Sequence, residues 1–403
     1  MASFHNKQNW LLITFDQWRG DWLKQPWLNL PQIKKIAREG WHLNRCYTSS
    51  PQCVPARVSW LTGQKPKELG LTRNIPYTVS ANADTFVREL RDQQGYYTSL
   101  IGKTHWTPHG IPGDLRDNLI LLKSLGFDRA VEIAGPRALR HKECELTDLW
   151  KEHGVYQEYV NDLNIRYSKP GLICVRPTVL PENLYPDVWI ANSAIEEISN
   201  LPFDRPWFLW ISFVGPHEPF DVPTSWSRYR YIPDPLPRPR EESRLDKLAP
   251  PGSVLENKIL NAPHHPKELI DQARQDYANH LELLDFQVKR IIDRLQFRSD
   301  YSNTSITMCS DHGELLGDWG LFAKSCFLEG AIRSLFIHRP APSVNIWQRF
   351  WQKRHHRAYG LTECLWAAKD AVSSSSKMTF VDYLNDMPLP ISVAYEDEEI
   401  FIK

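Results

Sequence analysis

Apolar and polar positions alternate along this chain in blocks. Trp10–Phe15 (WLLITF), Tyr96–Ile101, Trp207–Val214 (WFLWISFV) and Ser305–Ser310 are short, mostly apolar runs. Each reads as a strand buried on both faces, as in a parallel sheet. Trp41–Tyr47 reads as a further strand. Between them, Leu30–Gly40 carries an apolar stripe of Leu30, Ile33, Ile36 and Ala37. In Glu268–Leu295, Tyr277, Leu281, Leu284, Val288, Ile291 and Ile292 recur at three- and four-residue steps. Both patterns predict amphipathic helices, and Asp84–Gln94 and Leu184–Ile198 read the same way. Strands alternating with helices predict an α/β fold with a central, mostly parallel sheet flanked by helices. Three stretches are less regular. Pro108–Pro181 reads as short loops and polar segments, an insertion suited to shaping a substrate pocket. Asp221–His265 is rich in Pro and Arg and reads as a surface excursion. Arg339–Lys403 shows no clear pattern, and Val372–Ser376 reads as a loop.

Composition narrows the classes. The 403 residues suffice for one large α/β domain with a small appendage. Lys+Arg and Asp+Glu both number 48, so no charge excess points to nucleic acid or an anionic membrane. No apolar run reaches the roughly 20 residues of a membrane span, and Met1–Gln8 has no apolar leader region. The 7 cysteines show no pairing pattern. A reduced, cytoplasmic protein is expected.

In an open α/β sheet, ligands bind beyond the carboxyl ends of the strands. Polar residues gather there in this chain: Asp16-Gln17, Gly102-Lys103-Thr104-His105, Gly215-Pro216-His217 and Asp311-His312-Gly313. Taken singly, each has an ordinary reading as a cap, a turn or a solvated pair. A lone Cys is likewise usually a small buried hydrophobe. Cys53, however, precedes Pro55-Ala56-Arg57-Val58-Ser59-Trp60-Leu61, a short helix closed by Gly63. Cys53 then sits at a helix N-terminus, where backbone N–H groups and the dipole favour an anion. Arg57 adds a positive charge one turn on.

The string Cys53-Val54-Pro55-Ala56-Arg57, extended by Ser59, Leu61, Thr62 and Gly63, resembles the signature of the formylglycine-dependent sulfatases, of the alkaline phosphatase superfamily. The other clusters resemble that family's motifs in order and spacing: the Asp16-Gln17 opening, Gly-Lys-x-His at Gly102–His105, Pro-His-x-Pro at Pro216–Pro219, and Ser-Asp-His-Gly-Glu at Ser310–Glu314 followed by Lys324. The resemblance covers roughly residues 9–337. It implies an alkaline-phosphatase-like catalytic domain over 1–337 and a shortened or divergent C-terminal part over 338–403.

The resemblance also implies a site. Cys53 is oxidised to formylglycine by a transiently bound formylglycine-generating enzyme, and the aldehyde works as its hydrate. Asp16, Cys53, Asp311 and His312 hold one divalent metal, with Gln17 either a neutral fifth ligand or a residue supporting the others. Hard oxygen donors favour Ca²⁺, with Mg²⁺ and Mn²⁺ as alternatives. Lys103 and Lys324 bind the sulfate oxygens, His217 lies at the leaving oxygen, and His105 takes a proton from the hydrate. Arg57 completes the catalytic group, and Asn74 is a substrate-binding candidate. The substrate is a small-molecule sulfate ester.

Three departures matter. Gln17 stands where many sulfatases carry a second Asp, and Asp-Gln also resembles the phosphonate monoester hydrolases. Trp319, Ala323 and Ser334 replace the usual His, Gly and Pro. From His338 on, no feature of the family is recognised, and the tail reads as a divergent remnant or a truncated form of the family's C-terminal subdomain. A phosphonate monoester or phosphodiester hydrolase therefore stands as the alternative, and a non-catalytic vestigial member as a third reading.

Overall fold

The computed structural model of the chain describes residues 7–169, 171–229, 232, 249, 251–343, 358–373 and 380–386. Its eleven described strands are β1 (Asn9–Phe15), β2 (Trp41–His42), β3 (Cys46–Tyr47), β4 (Tyr97–Lys103), β5 (Gly113–Asp114), β6 (Arg129–Ile133), β7 (Lys142–Glu143), β8 (Trp207–Ser212), β9 (Thr304–Ser310), β10 (Phe336–Arg339) and β11 (Tyr359–Gly360). Seven of them form the central sheet, in the order β2-β10-β9-β1-β8-β4-β6. The run from β9 to β6 is parallel, and β10 pairs antiparallel with both β9 and β2. The expected mostly parallel α/β architecture is what the chain adopts.

Each face of the sheet has its own core, because successive side chains point to opposite sides. In β1, Leu11, Ile13 and Phe15 enter one apolar cluster with residues of the helices Pro186–Asn200 and Lys267–Gln296. Trp10 and Leu12 enter the other, under the helices Cys53–Thr62 and Leu361–Ser373. Every residue of β1 and β9 is buried, as the near-continuous apolar sequence of β1 requires.

Register sets the site. Thr14 of β1 lies opposite Ser212 of β8 and Cys309 of β9, and Gly102 of β4 lies opposite Ser212. The strands therefore end side by side, and the polar segments that follow share one edge. Gly102 has a φ of +111°, and a Cβ there would collide with the Ser212 carbonyl. Only glycine permits that close approach between strands.

Several elements differ from the sequence reading. Trp41–Tyr47 is two short strands: His42 pairs with Ile337, whereas Cys46 pairs with Tyr359. Pro108–Pro181 is not mainly loop. It contributes β6 to the main sheet and the helices Leu119–Ser124, Glu145–Glu152 and Tyr156–Arg166. Over Asp84–Gln94 the helix begins at Phe86, capped by the Thr85 side chain, and widens to π geometry over Glu89–Gln93. The stretch 221–265 begins in the interior, with Asp221 and Val222 buried, and carries the helix Val254–Leu260 near its end; 230–231, 233–248 and 250 lie outside the described residues. Val372 and Ser373 close a helix rather than form a loop, while 374–376 lie outside the described residues. Leu361–Ser373 packs Leu361, Leu365 and Ala368 into the core beneath the Cys53 helix. Its Trp366 indole donates to the Trp60 carbonyl at 3.0 Å.

Candidate active site

Cys53 is the first residue of the helix Cys53–Thr62, which ends at Gly63 in a left-handed turn (φ 72°). Its orphan N-terminal groups are met from outside the helix. The Val54 N–H donates to Asn74 Oδ1 at 2.9 Å, and the Asn74 N–H donates to Gln52 Oε1 at 2.6 Å. Asn74 thus fixes the turn that presents Cys53.

Four ligand atoms gather at this point. One each from Asp16, Cys53, Asp311 and His312 lie within 4.8 Å of one another, all from buried residues. Asp16 directly follows β1, and Asp311 and His312 directly follow β9. The Cys53 Sγ is 3.2 Å from His312 Nε2 and 3.7 Å from Asp16 Oδ1. His312 Nδ1 contacts the Gly313 carbonyl at 3.0 Å, which fixes the ring and turns Nε2 toward the cluster. Two carboxylates and one oriented imidazole are the donor set of a divalent cation, so the residues present fit the metal that the sequence implies.

Gln17 takes a different position from the one expected of a metal ligand. Its amide oxygen accepts from the Lys324 ammonium, and its amide nitrogen donates to Glu218 Oε2 at 2.9 Å and to Glu314. Its backbone holds φ at 72°, and its N–H donates to Asp311 Oδ1 at 2.9 Å.

Positive charge surrounds the cluster. Arg57 is buried between the two carboxylates: Nε donates to Asp311 Oδ2 at 2.9 Å, and Nη2 stands 3.5 Å from Asp16 Oδ2. Its Nη1 donates to the Lys103 carbonyl and to Ser212 Oγ. The Lys103 ammonium donates to Asp16 Oδ2. Lys324 reaches His217 Nε2 at 2.6 Å. Burial alone would raise the Cys53 thiol, but Lys324, Lys103 and His312 outweigh it and hold it well below the usual thiol range. Burial likewise works against the Asp16 anion, yet Lys103, His217 and Arg57 hold its carboxyl below the ordinary range.

His105 follows β4 with φ 63° and lies close to Cys53. Burial and the neighbouring His109 push it down to about 3, so it is neutral at pH 7. Its ring stacks on His109, with centroids 4.6 Å apart, and His109 Nε2 contacts Glu132 Oε1 at 3.3 Å.

Sequence reasoning gave no role to Glu218 or Glu314, although both stand inside the motifs it used. Glu218 braces His217 through Nδ1 at 3.2 Å. It is held near about 2 because His217, Lys324 and Arg137 outweigh the burial penalty. Glu314 accepts from the Leu316 and Ala323 N–H groups, pinning the loop that carries Lys324. Asp187 and His280 were also missed. Asp187 accepts from the Val214 and Gly215 N–H groups at 3.0 and 3.1 Å and pairs with His280 at 2.8 Å. The loop bearing His217 is thereby tied to two helices.

A cavity of about 530 Å³ opens beside the cluster, with Glu218, Glu314 and Ala323 in its wall. Arg137, Tyr167 and Leu172 of the insertion also line it, so the insertion does shape a pocket. All seven cysteines are free. No helix among the described residues is long and apolar enough to cross a membrane.

Comparison with known proteins agrees with this geometry. The Clostridium perfringens arylsulfatase is 28% identical over 353 residues, covering 83% of this chain and 69% of that protein. The Rhizobium meliloti choline-sulfatase is 28% identical over 362 residues, covering 84% and 64%. The chain thus spans about two thirds of the length of these relatives. Among solved structures, the phosphonate monoester hydrolase of Agrobacterium radiobacter superposes with a TM-score of 0.66 at 21% identity, covering 89% of this chain and 72% of that one. The family model described as Sulfatase matches residues 8–357, reaching beyond the limit near 337 read from the motifs. The chain belongs to the sulfatase family, sulfuric ester hydrolases of the alkaline phosphatase superfamily.

Proposed function

We propose that this chain hydrolyses small-molecule sulfate monoesters at residue 53, oxidised from Cys to formylglycine, beside one divalent cation. The observation that carries the reading is the convergence of Asp16, Asp311 and His312 on the first residue of a buried helix, with Lys103 and Lys324 close by. The Cys53 Sγ marks the place of the hydrate oxygens. When present, the hydrate supplies a nucleophilic hydroxyl and the cation supplies Lewis-acid charge.

The chain's own residues do the rest. Asp16, Asp311 and His312 would hold the cation, with Ca²⁺ preferred for its hard oxygen donors and Mn²⁺ or Mg²⁺ as alternatives. Lys103 and Lys324 neutralise the sulfate oxygens in a water-poor site, where preorganised charge acts most strongly. His217, seated against Lys324 and Glu218, gives a proton to the departing alcohol oxygen. His105, kept neutral, accepts a proton beside residue 53. The proposal includes a transiently bound formylglycine-generating enzyme and a cytoplasmic setting. The mass of the Cys53 peptide, measured with turnover of aryl sulfates, tests the reading. Activity should track the aldehyde fraction, and full activity in all-thiol protein would overturn it.

A second reading rests on Gln17. A neutral side chain beside Asp16 leaves the site one negative charge short of the Asp-Asp type, and the structural likeness includes two phosphonate monoester hydrolases. Sulfate monoesters and phosphate diesters each carry one net negative charge. Rates on 4-nitrophenyl sulfate and on a 4-nitrophenyl phosphonate monoester separate the two: the sulfate reading expects the higher kcat/KM on the sulfate.

A further inference from the structure

The cavity beside the cluster carries charge that the reaction at residue 53 does not use. Its two acids are already committed. Glu218 gives Oε2 to Gln17 and His217 and Oε1 to Arg137 at 3.3 Å. Glu314 is used by Gln17 and by two backbone N–H groups. Two of the bases are committed as well. Arg166 is paired with Asp162 and three carbonyls, and Lys258 donates to the Phe322 and Lys324 carbonyls at 2.8 Å each.

Arg137, which meets Glu218 through one 3.3 Å contact, Arg140 and Lys169 remain. The first two guanidinium groups lie 4.5 and 5.3 Å from the centre of one ring, Tyr167. Stacking on the ring holds each of them, yet it brings like charges together. Arg137 is 60% exposed. Arg140 spends Nε on the Arg137 carbonyl and Nη1 on Asn164, leaving Nη2 without a partner among the described residues. Lys169 makes no hydrogen bond or ion pair among them. The whole chain is neutral, so this is a local concentration of positive charge. Phe220 and Phe322, with rings 6.1 Å apart, and Leu172 supply apolar wall to the same cavity.

We propose that this cavity binds the alcohol part of a sulfate ester that carries a second anionic group, a carboxylate or a second sulfate, against Arg137, Arg140 and Lys169. The assignment deepens the sulfate-ester reading and rests on it. Glu218 sets the spacing. One of its oxygens meets Gln17 beside Lys324 and the other meets Arg137, so a single carboxylate bridges the two groups of cations. A paired guanidinium face suits a planar, bidentate anion better than a point charge would. A cationic alcohol finds no free carboxylate there.

The test is binding to Cys53→Ala protein, which needs no turnover. Calorimetry compares phenyl sulfate, 3-carboxyphenyl sulfate, benzene-1,3-disulfate and 3-(trimethylammonio)phenyl sulfate. One or both dianions should bind about fivefold to tenfold more tightly than phenyl sulfate, an advantage that shrinks in high salt. Arg140→Gln should remove most of that advantage, and Arg140→Lys, which keeps the charge, should restore part of it. Equal binding of phenyl sulfate and both dianions overturns the proposal, as does tightest binding of the trimethylammonio ester. If protein with verified aldehyde hydrolyses none of the esters while the dianion preference persists, the sulfatase reading falls and the anion site stands.

Discussion

Arg57 and Asp311, 254 positions apart, meet as a buried pair through Nε and Oδ2 at 2.9 Å. The same guanidinium stands 3.5 Å from Asp16 and bonds to the Lys103 carbonyl and Ser212. One side chain thus joins the ends of β1, β4, β8 and β9. It compensates two buried carboxylates that lie within ligand distance of each other.

Arg57→Ala should therefore destabilise the fold by about 3–5 kcal/mol, because it takes the buried Asp311 carboxylate's guanidinium partner away. Arg57→Lys should recover only part, since an ammonium cannot make the same fork of bonds. Urea unfolding measures both variants. A Lys variant as stable and as active as the parent would show that charge alone is needed.

Metal dependence should follow the carboxylates. Chelation should remove activity, and Asp16→Ala or Asp311→Ala should weaken cation binding far more than Gln17→Ala. The Gln17 oxygen is already engaged by Lys324, so its loss should act on Lys324 instead. Calorimetric titration with Ca²⁺ and Mn²⁺ decides this. A Gln17→Ala variant that loses the cation while Asp311→Ala keeps it would reverse the assignment.

Lys103→Ala and Lys324→Ala should each lower kcat/KM about a hundredfold or more, as for other preorganised charges. The loss should be shared by every ester, since all carry the same anionic head. Lys324 also touches His217, so its loss should weigh most on esters with poor leaving groups. A Lys324→Ala variant with unaltered kinetics on all esters would remove it from the mechanism.

Stability should fall as pH rises from about 4 to about 7. Burial and Asp221 push Asp276 up to about 7, and burial pushes Asp221 up to about 6. For a raised carboxyl, the folded state holds its proton more tightly than the unfolded chain does. The stabilisation is complete below the ordinary Asp value and is lost as pH climbs through about 6–7. Asp276→Asn should flatten that loss by on the order of 3 kcal/mol between pH 4 and 8. Denaturant midpoints across that range measure it, and parallel curves for the two proteins would contradict it.

The strand ends were legible because parallel strands such as Trp10–Phe15 are apolar on both faces, so the residues that break the run mark the sheet edge. Other features depend on partners far along the chain. Arg129–Ile133 is an edge strand paired, among the described residues, with β4 alone, and its short sequence carries no continuous apolar run. The break within Trp41–Tyr47 follows from His42 pairing with Ile337 and Cys46 with Tyr359, which no local pattern shows. Glu218 and Glu314 were in view as letters of a motif. Their roles depend on one amide, Gln17, which lies 201 and 297 positions away. The basic face over Tyr167 was hidden in an insertion that reads as loop.

Burial of residue 53 has a consequence for the order of events during synthesis. In the folded chain Cys53 is only 2% exposed, covered by groups that include Asp311 and His312. Those covering residues leave the ribosome more than 250 positions later. Until then the sheet against which the Cys-x-Pro-x-Arg segment docks lacks β9 and β10, and residue 53 is without the cover of Asp311 and His312. An enzyme that converts this cysteine would therefore have a window set by translation and closed by folding. Slowing elongation downstream of the segment should raise the converted fraction, whereas presenting finished, folded protein to the same enzyme should leave the thiol untouched.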